Sequence, residues 1–249
     1  MNIVRSVLTW VAGLVILVVF FPVTFLIWLA ALPFDNNRKV IHRILLFQSA
    51  ILAHSVPVLK IHVEGKEKAK KNSTYVIISN HQSILDILII NCLGYSFKWV
   101  SKIENTRVPF LGWYLRMADY LVVDRNDSDS KATMIARAYT HLKNNTSIMI
   151  FPEGTRSVNG TVGFFKRGAF QLAVETGVQI LPVIIDGTGD LLPRHKLIFN
   201  GRHNVYLRVL DPVDVNSLGT ENPDELAVKF REIITSGLSD IRIKNGAQS

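Results

Sequence analysis

The chain has 249 residues, 48% of them hydrophobic, with 28 Lys and Arg against 20 Asp and Glu for a formal charge of +8. It can bury a full core, which excludes an intrinsically disordered protein, and its basic balance points to anions: nucleic acid, phosphate-bearing small molecules or an anionic membrane face. The single cysteine, Cys92, excludes an intrachain disulfide; it lies in the apolar run ILDILIINCL, where a buried structural thiol is expected.

No side chain from Val7 to Phe34 is charged. As a helix this segment would be about 42 Å long, against about 30 Å for the hydrocarbon core of a bilayer. That is too long for a signal-peptide core, and no convincing cleavage pattern follows. The expectation is a retained membrane anchor, kinked at Pro22, with Trp10 and Trp28 near its two ends where interfacial aromatics belong. Val40 to Leu59 is also apolar but carries His42, Arg43, Gln48 and His54, so it reads as an amphipathic helix on an interface or packed on the first. Two arrangements stay open: a first helix that spans the bilayer, or a two-helix hairpin sunk into one leaflet. In both, Arg38, Lys39 and Arg43 favour a catalytic domain on the cytoplasmic side. The expected division is residues 1–58 for the membrane-associated helices and 59–249 for the catalytic domain.

Beyond the anchor, strand-like and helix-like patterns alternate. Strands are expected at 58–65, 75–79, 97–101, 120–125, 147–151 and 180–186, with helices at 84–93, about 108–117, 130–143 and 165–176. This predicts an α/β domain with a mixed, largely parallel sheet flanked by helices. Residues 196–210 look like a hairpin turning at Asn200-Gly201, and 223–245 like a closing helix opened by Pro223-Asp224-Glu225. The segments SNHQS and FPEGTRS then fall on loops beyond strand ends, where α/β sheets place their sites.

In NHQSILD, residues 80–86, two readings compete. Ser83 to Asp86 fits a capping box with Asp in the place of Glu or Gln. That accounts for Ser and Asp but not for Asn80-His81 at the mouth of a strand. On a continuous helix His81 and Asp86 would lie about 140° apart. If the helix starts at Ser83, His81 can fold back from the loop and donate one ring N–H to Asp86, leaving the other nitrogen basic. No G-x-S-x-G elbow occurs, the seven histidines show no H-x-x-x-H pair, and there is no cysteine cluster, so neither a serine-hydrolase nucleophile nor a metal site is indicated. A base without a nucleophile of its own implies that the substrate brings the hydroxyl.

In the next loop, Glu153-Gly154-Thr155-Arg156 follows a buried strand. Gly154 allows close backbone approach and Arg156 offers a fork for phosphate. Lys166 and Arg167, beside Gly168 at a helix start, read either as a further anion cradle or as solvated charges on a surface turn. Lys102 and Arg125 stand at strand ends; each taken alone reads as a solvated charge.

With NHQSILD and FPEGTRS together, the chain resembles the membrane-bound glycerolipid acyltransferases, and among them the 1-acylglycerol-3-phosphate acyltransferases of phospholipid synthesis. The likeness covers about residues 75 to 190, with four motifs in family order: His81/Asp86 as H-x-x-x-x-D, Leu121 to Arg125, Glu153 to Arg156, and Leu181-Pro182-Val183. The second motif usually begins with glycine, and Asp119 occupies that place here. The resemblance implies His81 and Asp86 as the catalytic pair, with Lys102, Arg125, Glu153, Gly154, Thr155 and Arg156 binding the phosphate end of the acceptor. It implies acyl-CoA or acyl-carrier protein as donor, lysophosphatidic acid as acceptor, phosphatidic acid as product, and a place at the cytoplasmic face of a membrane. No cofactor, metal or nucleic acid enters. The motifs also admit a relative acting on glycerol 3-phosphate or another lysolipid; a non-catalytic lipid-binding protein and a lipid hydrolase are the alternatives from other classes.

Overall fold

A computed structural model describes residues 2–56, 59–201 and 203–246. Two helices open the chain, α1 (Asn2–Ala31) and α2 (Lys39–His54). The strands that follow are β1 (Leu59–Glu64), β2 (Val76–Ser79), β3 (Phe97–Lys102), β4 (Leu121–Val123), β5 (Ser147–Ile150), β6 (Ile180–Asp186) and β7 (His203–Val209). Between and after them lie α3 (Leu85–Asn91), α4 (Leu111–Met117), α5 (Ser128–Lys143), α6 (Gly168–Thr176), the short α7 (Thr188–Leu191) and α8 (Pro223–Gly246).

The strands form one sheet in the order β1-β7-β6-β2-β5-β3-β4. All neighbours are parallel except β6 and β7. β2 is fully buried near the centre, its VIIS run flanked by β5 and β6. Such a run suits a strand covered on both faces. Ile77 faces a core shared with α1 to α4, while Val76 and Ile78 face a second core under α5, α6 and α8. The chain therefore leaves β2 toward one face, through α3, and leaves the adjacent β5 toward the other, through α6. The carboxyl ends of two neighbouring parallel strands splay apart there, which opens a crevice at the sheet edge.

The six expected strands and the helices between them are all present, most with shorter ends, β3 and α5 slightly longer and β6 as expected; Val58, the expected start of the first strand and last residue before the domain boundary, lies outside the described residues. The hairpin at 196–210 is a correction. Only β7 forms, pairing in parallel with β1 and antiparallel with β6. Residues before it fold onto α1 instead: the Phe199 amide donates to Ser6 Oγ at 2.8 Å, and Asn200 uses its backbone and side chain on Leu191 and Asp190 carbonyls.

The two-helix anchor also needs correction. Among the described residues only α1 is long and apolar enough to cross a membrane. It runs as one helix through Pro22. α2 docks on the sheet domain through polar side chains. His42 is buried, its Nδ1 2.7 Å from the Tyr120 hydroxyl and its Nε2 2.9 Å from the Tyr95 carbonyl. Burial pushes this imidazole down to about 4. Gln48 donates to Thr24 of α1 at 2.7 Å.

Asp119 has φ of 54°, the left-handed region that suits the glycine expected at the start of this motif. Aspartate tolerates it because Arg137 donates to one carboxylate oxygen at 2.6 Å and His141 lies 3.4 Å from the other. Burial alone would raise this carboxyl; the hydrogen bond from His141 and the charges of Arg137 and Lys98 outweigh it and hold it below the usual range. Asp119 precedes β4 while Arg125 follows it, so the substitution lies at the opposite end of the strand from the cation.

Candidate active site

His81 leaves the end of β2 in the crevice. Its Nδ1–H donates to Asp86 Oδ2 at 2.7 Å. The same oxygen accepts the amides of Gln82 and Ser83, at 2.6 and 3.0 Å. Asp86, in the first turn of α3 and fully buried, thus reaches back as a capping residue and fixes the imidazole at once. Both readings of the segment describe parts of one arrangement. The Ser83 hydroxyl is buried and donates to the Leu192 carbonyl at 2.8 Å, which leaves it no freedom as a nucleophile.

Since a carboxylate only accepts, the proton of His81 sits on Nδ1 and Nε2 carries a lone pair. Nε2 has no hydrogen-bond partner among the described residues. The ring stacks on Phe151 with centroids 3.9 Å apart and planes 10° apart. Phe151 in turn packs on Trp99. The imidazole is thereby fixed by a hydrogen bond in its plane and by an aromatic face above it.

The loop after β5 is tied directly to His81. Glu153 Oε1 accepts the His81 amide at 2.8 Å, and Oε2 accepts the Gly163 amide at 2.9 Å. The Ser157 amide donates to the His81 carbonyl at 2.8 Å. Burial pushes the Glu153 carboxyl up, against these two bonds, which favour its ionised form. Glu153 was grouped with the phosphate ligands; with both oxygens occupied by amides, and a charge that repels phosphate, it braces the two motifs against each other.

Gly154 has φ of +67°, and a Cβ there would lie 3.1 Å from Lys166 Cε and Nζ. Glycine therefore serves both the turn and the passage of the lysine stem. Thr155 is exposed, and Arg156 is half-buried with no ion-pair partner among the described residues. Arg167 of the expected cradle faces Asp224 at 3.8 Å.

Lys102 and Arg125 end β3 and β4 on the same sheet edge as His81. Sequence reasoning missed the residue between them, Glu104. It pairs with Lys102 at 2.5 Å, which holds its carboxyl below the usual range, and its charge also acts on Arg125. Burial pushes Arg125 down from its usual value, and Glu104 opposes that shift. A bound anion would compete with Glu104 for both cations.

Other supports come from the far side of β2. Asn80 bridges to β6, donating to the Ile185 carbonyl at 2.8 Å and accepting its amide at 3.0 Å. Gln82 donates to Asp186 at 3.1 Å, and Asp186 is held by Arg242 of α8. No group of metal-ligating side chains exists among the described residues.

The Acyltransferase family model matches residues 60–186. A chloroplastic 1-acyl-sn-glycerol-3-phosphate acyltransferase of Arabidopsis thaliana is 36% identical over 73% of this chain and 51% of its own length. A 1-acyl-sn-glycerol-3-phosphate acyltransferase of Borreliella burgdorferi is 33% identical over 74% of each chain. The chain spans about half the length of some curated relatives that it matches, the Arabidopsis protein and one from Brassica napus among them. The crystal structure of the 1-acyl-sn-glycerophosphate acyltransferase from Thermotoga maritima superimposes with a TM-score of 0.82 at 28% identity, covering 97% of this chain and 98% of that one. The crevice at the ends of β2 and β5, His81 paired with Asp86 and the matched span from β1 to β6 agree on one assignment: the chain belongs to the acyltransferase family.

Proposed function

We propose that the chain transfers an acyl group from acyl-CoA or acyl-carrier protein to the sn-2 hydroxyl of 1-acyl-glycerol-3-phosphate, giving phosphatidic acid. The observation that carries this reading is His81, fixed by Asp86 through Nδ1 with Nε2 unpartnered. Nε2 takes the proton of the acceptor's hydroxyl as that oxygen attacks the thioester carbonyl. The tetrahedral intermediate collapses, the carbon–sulfur bond breaks, and the imidazolium returns its proton to the departing thiolate. No acyl-enzyme forms: among the described residues no free side-chain nucleophile stands beside the base, the Ser83 hydroxyl being bound to the Leu192 carbonyl. Lys102, Arg125 and Arg156 hold the phosphate and bring the hydroxyl to within about 3 Å of the base.

The lysolipid reaches this crevice from a membrane. α1 supports insertion into one leaflet rather than across the bilayer. Its contacts with the domain run from Ser6 and Trp10, which meet Phe199 and Leu197, through Leu17 and Phe21 on α4, to Thr24 on α2. A helix docked alongside the domain over most of its length does not cross the bilayer and leave that domain outside. Val4, Leu8, Val11, Val15, Val19, Val23 and Leu26 form the opposite stripe, each more than half exposed. That stripe faces acyl chains, and Arg38, Lys39 and Arg43 meet anionic headgroups of the cytoplasmic face.

The test is a product assay on the full chain in detergent, with defined lysolipids and with acyl-CoA and acyl-carrier protein as separate donors. Phosphatidic acid from lysophosphatidic acid is the expected product. Free fatty acid alone would mark a hydrolase, no turnover a binding protein, and preference for another acceptor a sister acyltransferase.

A further inference from the structure

We propose that Thr188 is a positioning residue of the His81–Asp86 pair, supplying, among the described residues, the one side-chain donor to Asp86 that comes from outside the NHQSILD segment. Asp86 Oδ2 already accepts from His81, Gln82 and Ser83. Its other oxygen, Oδ1, accepts from the Thr188 hydroxyl at 2.5 Å. Both partners are fully buried, so no water substitutes for that bond. The Gln82 side-chain oxygen lies 3.4 Å from the same hydroxyl, but one hydroxyl carries one proton, and it goes to the nearer, charged acceptor.

The fold places Thr188 with care. Gly187 has φ of +89°, and a Cβ there would fall 2.3 Å from the Asn204 carbonyl oxygen, so only glycine makes this turn. One residue before it, Asp186 is clamped by Arg242 and by the Gln82 side chain. Thr188 is thus delivered to Asp86 from a rigid strand end. It stands two residues past the span that matches the family model. The hydroxyl stops the carboxylate from turning about its Cβ–Cγ bond and spreads its charge over both oxygens. Without it the carboxylate turns from the ring, and Oδ2 stabilises the imidazolium less.

The test uses the full chain in detergent and compares wild type, Thr188→Val and Thr188→Ser. It rests on the acyltransferase reading only for its kinetic arm. Thr188→Val keeps shape and removes the donor: kcat should fall about tenfold with both KM values within twofold, and the acid limb of the pH profile should move to lower pH. The ring of His81, followed by nitrogen NMR, should titrate at lower pH by the same amount whether or not a substrate has been found. The charged groups joined to this segment from other elements are Glu153, which accepts the His81 amide, and Asp186, which accepts from Gln82 and is held by Arg242. All are unchanged by the substitution. Thr188→Ser should restore kcat and titration. Wild-type kcat and an unshifted His81 titration in Thr188→Val would overturn the proposal. So would a Ser variant that fails as Val does with an equal loss of thermal stability, the mark of a packing role alone. If wild-type protein acylates no lysolipid, the functional reading falls, and the NMR comparison still decides the role of Thr188.

Discussion

Asp86→Asn is isosteric and isolates the charge that steers His81. In the wild type the donor–acceptor distance is 2.7 Å, which puts the two charge centres about 4 Å apart once the imidazole takes its proton. At an effective dielectric near 20 the attraction is about 4 kcal/mol, or about a thousandfold in rate if it acts in the transition state and not before. The amide keeps one oxygen, which continues to accept the Gln82 and Ser83 amides. The Thr188 hydroxyl can turn to accept from the new NH₂. Folding therefore loses the charged character of four hydrogen bonds, on the order of 1 kcal/mol each, a fall in melting temperature of about 8–16 °C. The assay is initial-rate kinetics at saturating donor and lysophosphatidic acid, beside thermal unfolding in the same detergent. A drop of about 10³ in kcat with unchanged KM is expected. A variant within threefold of wild type would refute the idea that Asp86 stabilises a histidine that becomes charged during the reaction.

His42 makes wild-type stability acid-sensitive. Its imidazole is at about 4 in the folded chain against 6.5 when free, so the unfolded chain binds the proton first and stability is lost as pH falls from about 6.5 to about 4. The loss sums to about 3 kcal/mol, and His42→Gln should flatten that slope in thermal unfolding across the range; an equally steep slope would contradict it. Arg156→Ala should raise KM for lysophosphatidic acid about tenfold or more while leaving the donor KM alone, since a phosphate partner is lost; unchanged dependence on lysolipid concentration contradicts that role. Single cysteines at Val4 and Leu26, in a background with Cys92 replaced, should both be shielded from aqueous maleimide and both reach only the near leaflet. Modification of either from the opposite side of sealed vesicles would mean that α1 spans.

Patterns carried within a few residues of chain were legible in the sequence. β6 matches its expected bounds because ILPVIID is an apolar run closed by Gly187, and α8 because Pro223 and two acidic residues open it. The His81–Asp86 bond was legible for the same reason: its partners are five residues apart, and the loop-to-helix transition lets them meet. What failed was set at long range. Asn200-Gly201 has the chemistry of a hairpin turn, but Phe199 gains more by packing on Trp10 and bonding Ser6, 193 residues away. α2 read as a helix on an interface or packed on the first; its packing on α1 through Gln48 and Thr24 holds, while the docking of His42 on Tyr120 and Tyr95 had no local signal. Thr188 left no signal, since nothing near it in the chain hints at a carboxylate 102 residues earlier. Glu153 was found by its motif and given the wrong kind of partner, because sequence shows a carboxylate's presence but not the amides that surround it.

The most direct measurement is the turnover of His81→Ala, purified in detergent and folded by its melting curve, with labelled acyl donor and lysophosphatidic acid. Loss of the base should cost about 10²–10⁴ in kcat, with lysophosphatidic acid still bound at its wild-type concentration. Phosphatidic acid formed at near the wild-type rate would mean that another group takes the hydroxyl proton.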